Sequence, residues 1–115
     1  MAEHFLYLTT TGRKTGLPRQ IEIWFVALEG RYYLVSERRL EANWVKNLMR
    51  DPAVWLSVGP RGDEEAGIPS TAARARVVDH DGEPDLVASV SALMDDKYGW
   101  SDGQIVELAP GESGP

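Results

Sequence analysis

Residues 20–28, QIEIWFVAL, change face at every position. Ile21, Ile23, Phe25 and Ala27 fall on one side, and Glu22, Trp24, Val26 and Leu28 on the other. That period of two belongs to a β-strand, and a strand must find neighbours for its backbone N–H and C=O groups. The chain offers several. FLYLTTT (5–11) and YYLVSE (32–37) flank it, and AVWLSV (53–58), TAARARVVD (71–79) and GQIVELAP (103–110) follow. The first three strands read as a meander, with GRKTGLPR (12–19) and EGR (29–31) as its turns.

The period becomes helical twice. In EANWVKNLMRD (41–51), Val45, Leu48 and Met49 make an apolar stripe bordered by Trp44. Asn43, Lys46, Asn47 and Arg50 lie opposite, and Pro52 ends the helix. In GEPDLVASVSALMDDKYGW (82–100), Val87, Val90, Leu93 and Met94 turn inward, with Pro84 in the first turn. GPRGDEEAGIPS (59–70) reads as a mobile loop, and Arg74 and Arg76 share one face of the strand after it. A small antiparallel sheet removes its exposed edges by closing. The order therefore predicts a mainly β fold, a compact barrel with two helices packed outside. It occupies residues 1–110 as a single domain, with a flexible tail over 111–115.

Composition narrows the chemistry. At 115 residues there is room for one modest core. No apolar run approaches the ~20 residues that span a bilayer, and MAEHFLYL lacks the layout of a signal peptide, so a cytoplasmic location is expected. The absence of cysteine excludes disulfides and thiolate chemistry, and His4 and His80 stand too far apart to suggest a metal site. Net charge is −6, unevenly spread. Residues 1–51 carry eight Lys/Arg against six Asp/Glu, and residues 52–115 carry four against twelve. A basic patch in an acidic protein suits a small anion better than nucleic acid, which rewards a broad basic face.

That patch is the turn holding Arg13, Lys14, Thr15, Gly16 and Arg19. Guanidinium forks, an ammonium, a hydroxyl and glycine-turn amides can together bind phosphate. The same residues equally describe a solvated hairpin. Trp44 and Asn47, one helical turn apart, could wall a flat aromatic ligand, although core packing and loop bracing are the more ordinary roles. Ser36, where a strand ends, most simply bonds local backbone. Tyr32, Tyr33, Tyr98 and Trp100 are aromatics able to line a pocket. There is no Ser/His/Asp set and no paired-carboxylate site, so any catalysis would fall to a cofactor.

LTTTGRKTGLPR (8–19), the strand YYLVS and NWVKNLMRDPAVWLSVG (43–59) together resemble the deazaflavin-dependent reductases. These use coenzyme F420 and include nitroreductases and quinone reductases. The likeness covers residues 6–59 and includes W-x-x-N-L-x-x-x-P-x-V at Trp44, Asn47, Leu48, Pro52 and Val54. It implies the split β-barrel shared with pyridoxamine 5′-phosphate oxidase and other FMN-binding proteins, associated as a homodimer. It implies that Arg13, Lys14, Thr15, Gly16 and Arg19 hold the phosphate of the cofactor tail. Ser36, Trp44 and Asn47 would border the deazaflavin ring, and Ser36 or Tyr98 would polarise the acceptor. The implied reaction is hydride transfer to a small organic acceptor such as a quinone, nitro compound or activated alkene. An FMN-dependent split-barrel oxidoreductase and a non-catalytic flavin or deazaflavin carrier are the alternatives. Relatives commonly follow the serine with two glycines. SERRLEA (36–42) instead puts Glu37, Arg38 and Arg39 at that edge, where the arginines could assist the anionic tail.

Overall fold

The computed structural model describes residues 4–60 and 71–111. Most of the expected acidic loop and all but Gly111 of the expected tail lie outside these residues. Seven strands make one antiparallel sheet: β1 (His4–Thr11), β2 (Pro18–Ile23), β3 (Val26–Leu28), β4 (Arg31–Ser36), β5 (Ala53–Pro60), β6 (Thr71–Val77) and β7 (Gln104–Pro110). Two helices accompany them, α1 (Asn43–Arg50) and α2 (Pro84–Tyr98).

The expected meander is corrected by the strand order, β2-β1-β5-β6-β7-β4-β3. β1 and β2 do form a hairpin, with Leu6 opposite Ile23 and Leu8 opposite Ile21. β3 pairs with β4 at the far edge instead. The alternating segment 20–28 is therefore two strands, broken at Trp24-Phe25, and each fragment forms one edge of the sheet. Among the described residues no ladder joins β2 to β3. The sheet curls until its two edges are bridged by two residues of chain, which is a split barrel rather than a closed one.

Curling gives the sheet an inner and an outer core. Leu6, Leu8, Leu34, Val54, Leu56, Ala73, Ala75, Val106 and Leu108 meet inside, joined by Val45 and Leu48 of α1. Helix α1 thus lends two side chains to the inner core while Asn43, Met49 and Arg50 stay exposed. On the other face of β4 and β7, Tyr33, Val35 and Ile105 pack with Val90 and Met94 of α2. Both faces of these two strands are covered, so their sequences read as continuous apolar runs without alternation. β6, covered on one face, alternates cleanly, with Arg74 and Arg76 both outward. Helix α2 begins with Pro84 in its first turn and ends at Gly99, whose φ of 70° is the left-handed cap that glycine takes at least cost.

Glu107 is the exception within the outer core. It lies in the middle of β7 and is only 2% exposed. Register sets Tyr33 of β4 opposite it on one side and Arg76 of β6 opposite it on the other. Tyr33 donates its hydroxyl to Oε2 at 2.8 Å, and Arg76 donates Nε to Oε1 at 2.9 Å and Nη2 to Oε2 at 3.1 Å. Arg31 adds a bond to Oε1 at 3.1 Å. Arg76 also grips Glu83, just before α2, through bonds of 2.7 and 2.9 Å. One carboxylate thus ties β4, β6 and β7 together, and Arg76 extends the tie to the start of α2.

Candidate functional site

The turn between β1 and β2 is closed by its own backbone. Gly12 N–H donates to Leu17 O and Gly16 N–H to Gly12 O, both at 2.8 Å. Gly16 has φ 74°, a conformation that side chains rarely tolerate. Thr15 Oγ1 accepts the Leu17 N–H at 3.2 Å, and the Arg13 N–H donates to Asn47 Oδ1, also at 3.2 Å. Four amides of the turn, those of Gly12, Arg13, Gly16 and Leu17, are therefore occupied within the protein. Gly16 shapes the turn but does not border the groove beside it.

Arg13 lies back along α1. Its Nη1 donates to Asn47 Oδ1 at 2.9 Å and its Nη2 to Asn43 Oδ1 at 3.2 Å. Asn47 is 5% exposed and passes its own Nδ2–H to Thr10 Oγ1 at 3.2 Å. This explains the rotation of α1. The expected stripe of Val45, Leu48 and Met49 is corrected to Val45, Asn47 and Leu48, with Met49 57% exposed. The helix presents Asn47 inward because a buried amide with partners on both its oxygen and its nitrogen costs little, and it locks the basic turn in place.

The groups that Arg13 bonds among the described residues, on Asn43 and Asn47, are all neutral. Among the described residues, neither Lys14 nor Arg19 has a carboxylate within ion-pair distance. Three cations thus converge with Thr15, Gly12, Gln20 and Pro18 around a cavity of about 630 Å³. A second, wider cavity of about 1040 Å³ adjoins it, and the two share Ile21, Asn43 and Trp44. The wider end is bordered by Trp24, Trp100, Phe5, Ser36, Glu37 and Arg38. Together they form one groove, basic at one end and rich in indole at the other, with half-buried Trp44 at the waist.

The structure sorts the remaining candidates. Ser36 is buried at the groove, and its Oγ–H donates to Arg39 O at 2.8 Å, the local backbone role expected of it. Arg38 borders the groove, but Arg39 turns away to Asp102 at 2.7 Å, so only one arginine of SERRLEA reaches the cavity. Tyr98 does not line the groove. Its hydroxyl accepts the Phe25 N–H at 3.1 Å and donates to the Phe25 carbonyl at 3.0 Å. Tyr32 and Tyr33 belong to the cores. Trp24 is not among the sequence candidates; the available signal is its place beside Glu22 on one face of QIEIWFVAL.

Gly103 buttresses the Ser36 turn. A Cβ at this position would sit inside contact distance of the Ser36 carbonyl oxygen and 2.7 Å from Val35 Cγ1. Gly103→Ala should therefore cost about 1–3 kcal/mol, as forced overpacking does, seen as a lowered urea midpoint with an unchanged m-value. An unchanged midpoint would mean that the 99–103 loop yields freely.

The profile of the F420H(2)-dependent quinone reductases matches residues 1–92, most of the chain. The chain belongs to that family. Among solved structures, it is similar to the heme storage protein HutZ of Vibrio cholerae, at 21% identity and TM-score 0.71 over 94% of this chain and 82% of that one. It is also similar to an F420 reductase, at 21% identity and TM-score 0.58 over 92% and 85%. An FAD-binding protein from Mesorhizobium loti matches at 11% identity and TM-score 0.70 over 96% and 83%. At these identities the likeness establishes the fold, the split barrel of pyridoxamine 5′-phosphate oxidase type. No curated protein matches the sequence significantly. Among the described residues no helix is long and apolar enough to cross a membrane.

Proposed function

We propose that this member of the family is a reductase that binds coenzyme F420 along the groove and reduces a small organic electrophile, a quinone before a nitro compound or activated alkene. The observation that carries this reading is the groove itself, with three cations that have no carboxylate partner among the described residues at one end and three indoles at its waist and far end. Such a polarity fits an elongated ligand with an anionic tail and a flat, apolar head. Arg13, Lys14 and Arg19 would hold the phosphate and carboxylates of the tail, with Thr15 as a hydroxyl donor. Trp44 would flank the ring system, and Asn47 would act through Arg13 by fixing its fork. Bound there in reduced form, the coenzyme would supply the hydride.

The chain's own part is then binding, orientation and exclusion of water. Ser36 already donates its proton to Arg39 O, so it offers an approaching ligand lone pairs, not a donor, unless that bond breaks. Arg38 is the remaining cation at the ring end and would favour electron-rich oxygens on an acceptor. Titration calorimetry with F420, FMN and FAD, together with acceptor-dependent oxidation of reduced F420 using a quinone, tests the reading. Tight F420 binding with turnover is expected. Preference for FMN, or binding without turnover on any acceptor, would overturn it in favour of a flavin enzyme or a carrier.

A further inference from the structure

Arg38 and Arg39 are neighbours with opposite fates. Arg39 has φ 53°, a left-handed conformation that is costly for a long side chain and persists only where the surroundings enforce it. Several contacts enforce it here. The buried Ser36 hydroxyl donates to the Arg39 carbonyl at 2.8 Å, and the Glu41 N–H donates to the Arg38 carbonyl at 3.0 Å. Arg39 Nη2 donates to Asp102 at 2.7 Å. The backbone of Gly103 lies so close behind the Ser36 carbonyl that no side chain fits between them. A turn fixed at this many points works as a mount, and what it mounts is Arg38. That side chain borders the wider cavity, and among the described residues it has no carboxylate within ion-pair distance.

The cations lining the groove are divided between its ends. Arg13, Lys14 and Arg19 line only the narrow cavity, and Arg38 lines only the wide one. A ligand whose tail answers the first three leaves Arg38 unanswered. A flat ligand filling the wide cavity also takes water from that guanidinium. A neutral ligand gives nothing in return, whereas a carboxylate accepts two parallel N–H bonds from the fork. The discrimination therefore works against neutral ligands as much as for anionic ones. Glu22 and Glu37 border the same cavity and oppose an anion there. With two acids beside one arginine, no positive field gathers anions from a distance, so recognition rests on contact with Arg38 itself. Glu37 then acts with the opposite sign to its neighbour.

We propose that Arg38 is the specificity-determining residue at the wide end of the groove, and that the acceptor it selects carries a carboxylate beside its reducible group. This rests on the preceding reading only in naming the ligand an acceptor. Ser36 and Arg39 act through Arg38 by holding the turn, and neither has to touch the ligand.

The test uses the intact chain and two acceptors that differ only in charge, 3-(1,4-naphthoquinon-2-yl)propanoate and its methyl ester. With reduced F420, the wild-type KM for the acid should lie about tenfold below that for the ester, the scale of one charged hydrogen bond at an exposed site. Arg38→Ala should bring the ratio close to one, Arg38→Lys should restore part of it, and Arg38→Glu should reverse it. Glu37→Gln should lower the KM for the acid by about two- to threefold. Arg39→Gly accepts the left-handed φ freely and should keep the wild-type ratio, which separates Arg38 from the general charge of the turn. Equal KM values for acid and ester in the wild type would overturn the proposal. So would an Arg38→Ala variant that loses F420 affinity, read by calorimetry, as much as it loses the acid, because the arginine then belongs to the cofactor bed. Should the wild-type chain bind no F420, the reductase reading falls separately. Calorimetric titration of the F420-free chain and of Arg38→Ala with 2-naphthoate and methyl 2-naphthoate then decides, since only an Arg38-dependent preference for 2-naphthoate supports the assignment, and no preference or no binding refutes it.

Discussion

Arg13→Ala should weaken F420 binding by about 10- to 100-fold, from a loss of about 1.5–3 kcal/mol for a charged hydrogen bond. The reasoning has two parts. The guanidinium is one of three cations at the narrow end of the groove with no carboxylate partner among the described residues, and its fork is already aimed by Asn43 and Asn47. Removing it deletes a charge and releases the helix contact together, so the variant needs partners that separate the two. Arg13→Lys keeps the charge and loses the fork, and should recover only part of the affinity. Asn47→Asp keeps an acceptor for Arg13 but sets a carboxylate beside the anion site. It should bind F420 more weakly than wild type while melting at a similar temperature. Calorimetric titration alongside thermal unfolding reads all three. Equal affinity in wild type and Arg13→Ala would remove the tail from this end of the groove.

The largest effect on stability should come from Glu107→Gln. Breaking a buried, hydrogen-bonded ion pair typically costs about 3–5 kcal/mol. The lower end applies here, because Arg31 and Arg76 are both partly exposed and can regain water. About 3 kcal/mol in a chain of this size corresponds to a fall in melting temperature of about 10 °C.

The effect should also depend on pH. Burial pushes the Glu107 carboxyl up, but the bonds from Arg76 and Tyr33 and the two guanidinium charges outweigh it and hold the group below the ordinary carboxylate range. Its folded value lies beneath its unfolded value, so the stability it contributes is complete above the unfolded value near ~4.3 and is lost as pH falls through the folded one. Arg76 depresses Glu83 in the same direction. Wild type should therefore lose stability steeply below about pH 4.3, and Glu107→Gln should keep only a shallower slope there. Parallel acid curves for the two proteins would contradict this account. Tyr33 behaves in the opposite sense. Burial, then its bond to Glu107, pushes its hydroxyl up to about 12, so its contribution is intact below its unfolded value and fades as pH rises toward 12.

Much of this was legible in the chain, and the failures share a cause. β6 could be read from its alternation because one face is solvated, and α2 from Pro84 and its apolar spacing. The basic turn and the pattern around Trp44 and Asn47 identified the groove's narrow end. What could not be read depended on partners distant in sequence. The meander failed because β4 pairs with β7, about 70 residues away, and no local pattern records that choice. Met49 was placed inside and Asn47 outside because hydropathy ranks them so. Arg13, 34 residues earlier, is what reverses them. Glu107 did leave a trace, as the one charge in QIVELAP, but its meaning needed Arg76 and Tyr33 in register beside it. Trp24 looked like one more residue of a strand that is in fact broken there.

The position of β7 has a consequence for how the polypeptide acquires its shape. Being last in the chain and yet lodged between β6 and β4, it is the slat that joins two otherwise separate panels, β2-β1-β5-β6 and β4-β3. Until residues 104–110 are in place, each panel keeps an open flank of unpaired amides and carbonyls, and the carboxylate that knits them is missing. Assembly should therefore be late, cooperative and slow for so small a domain. A nascent chain halted before Gln104 would present adhesive borders to its neighbours rather than a smaller version of the native protein.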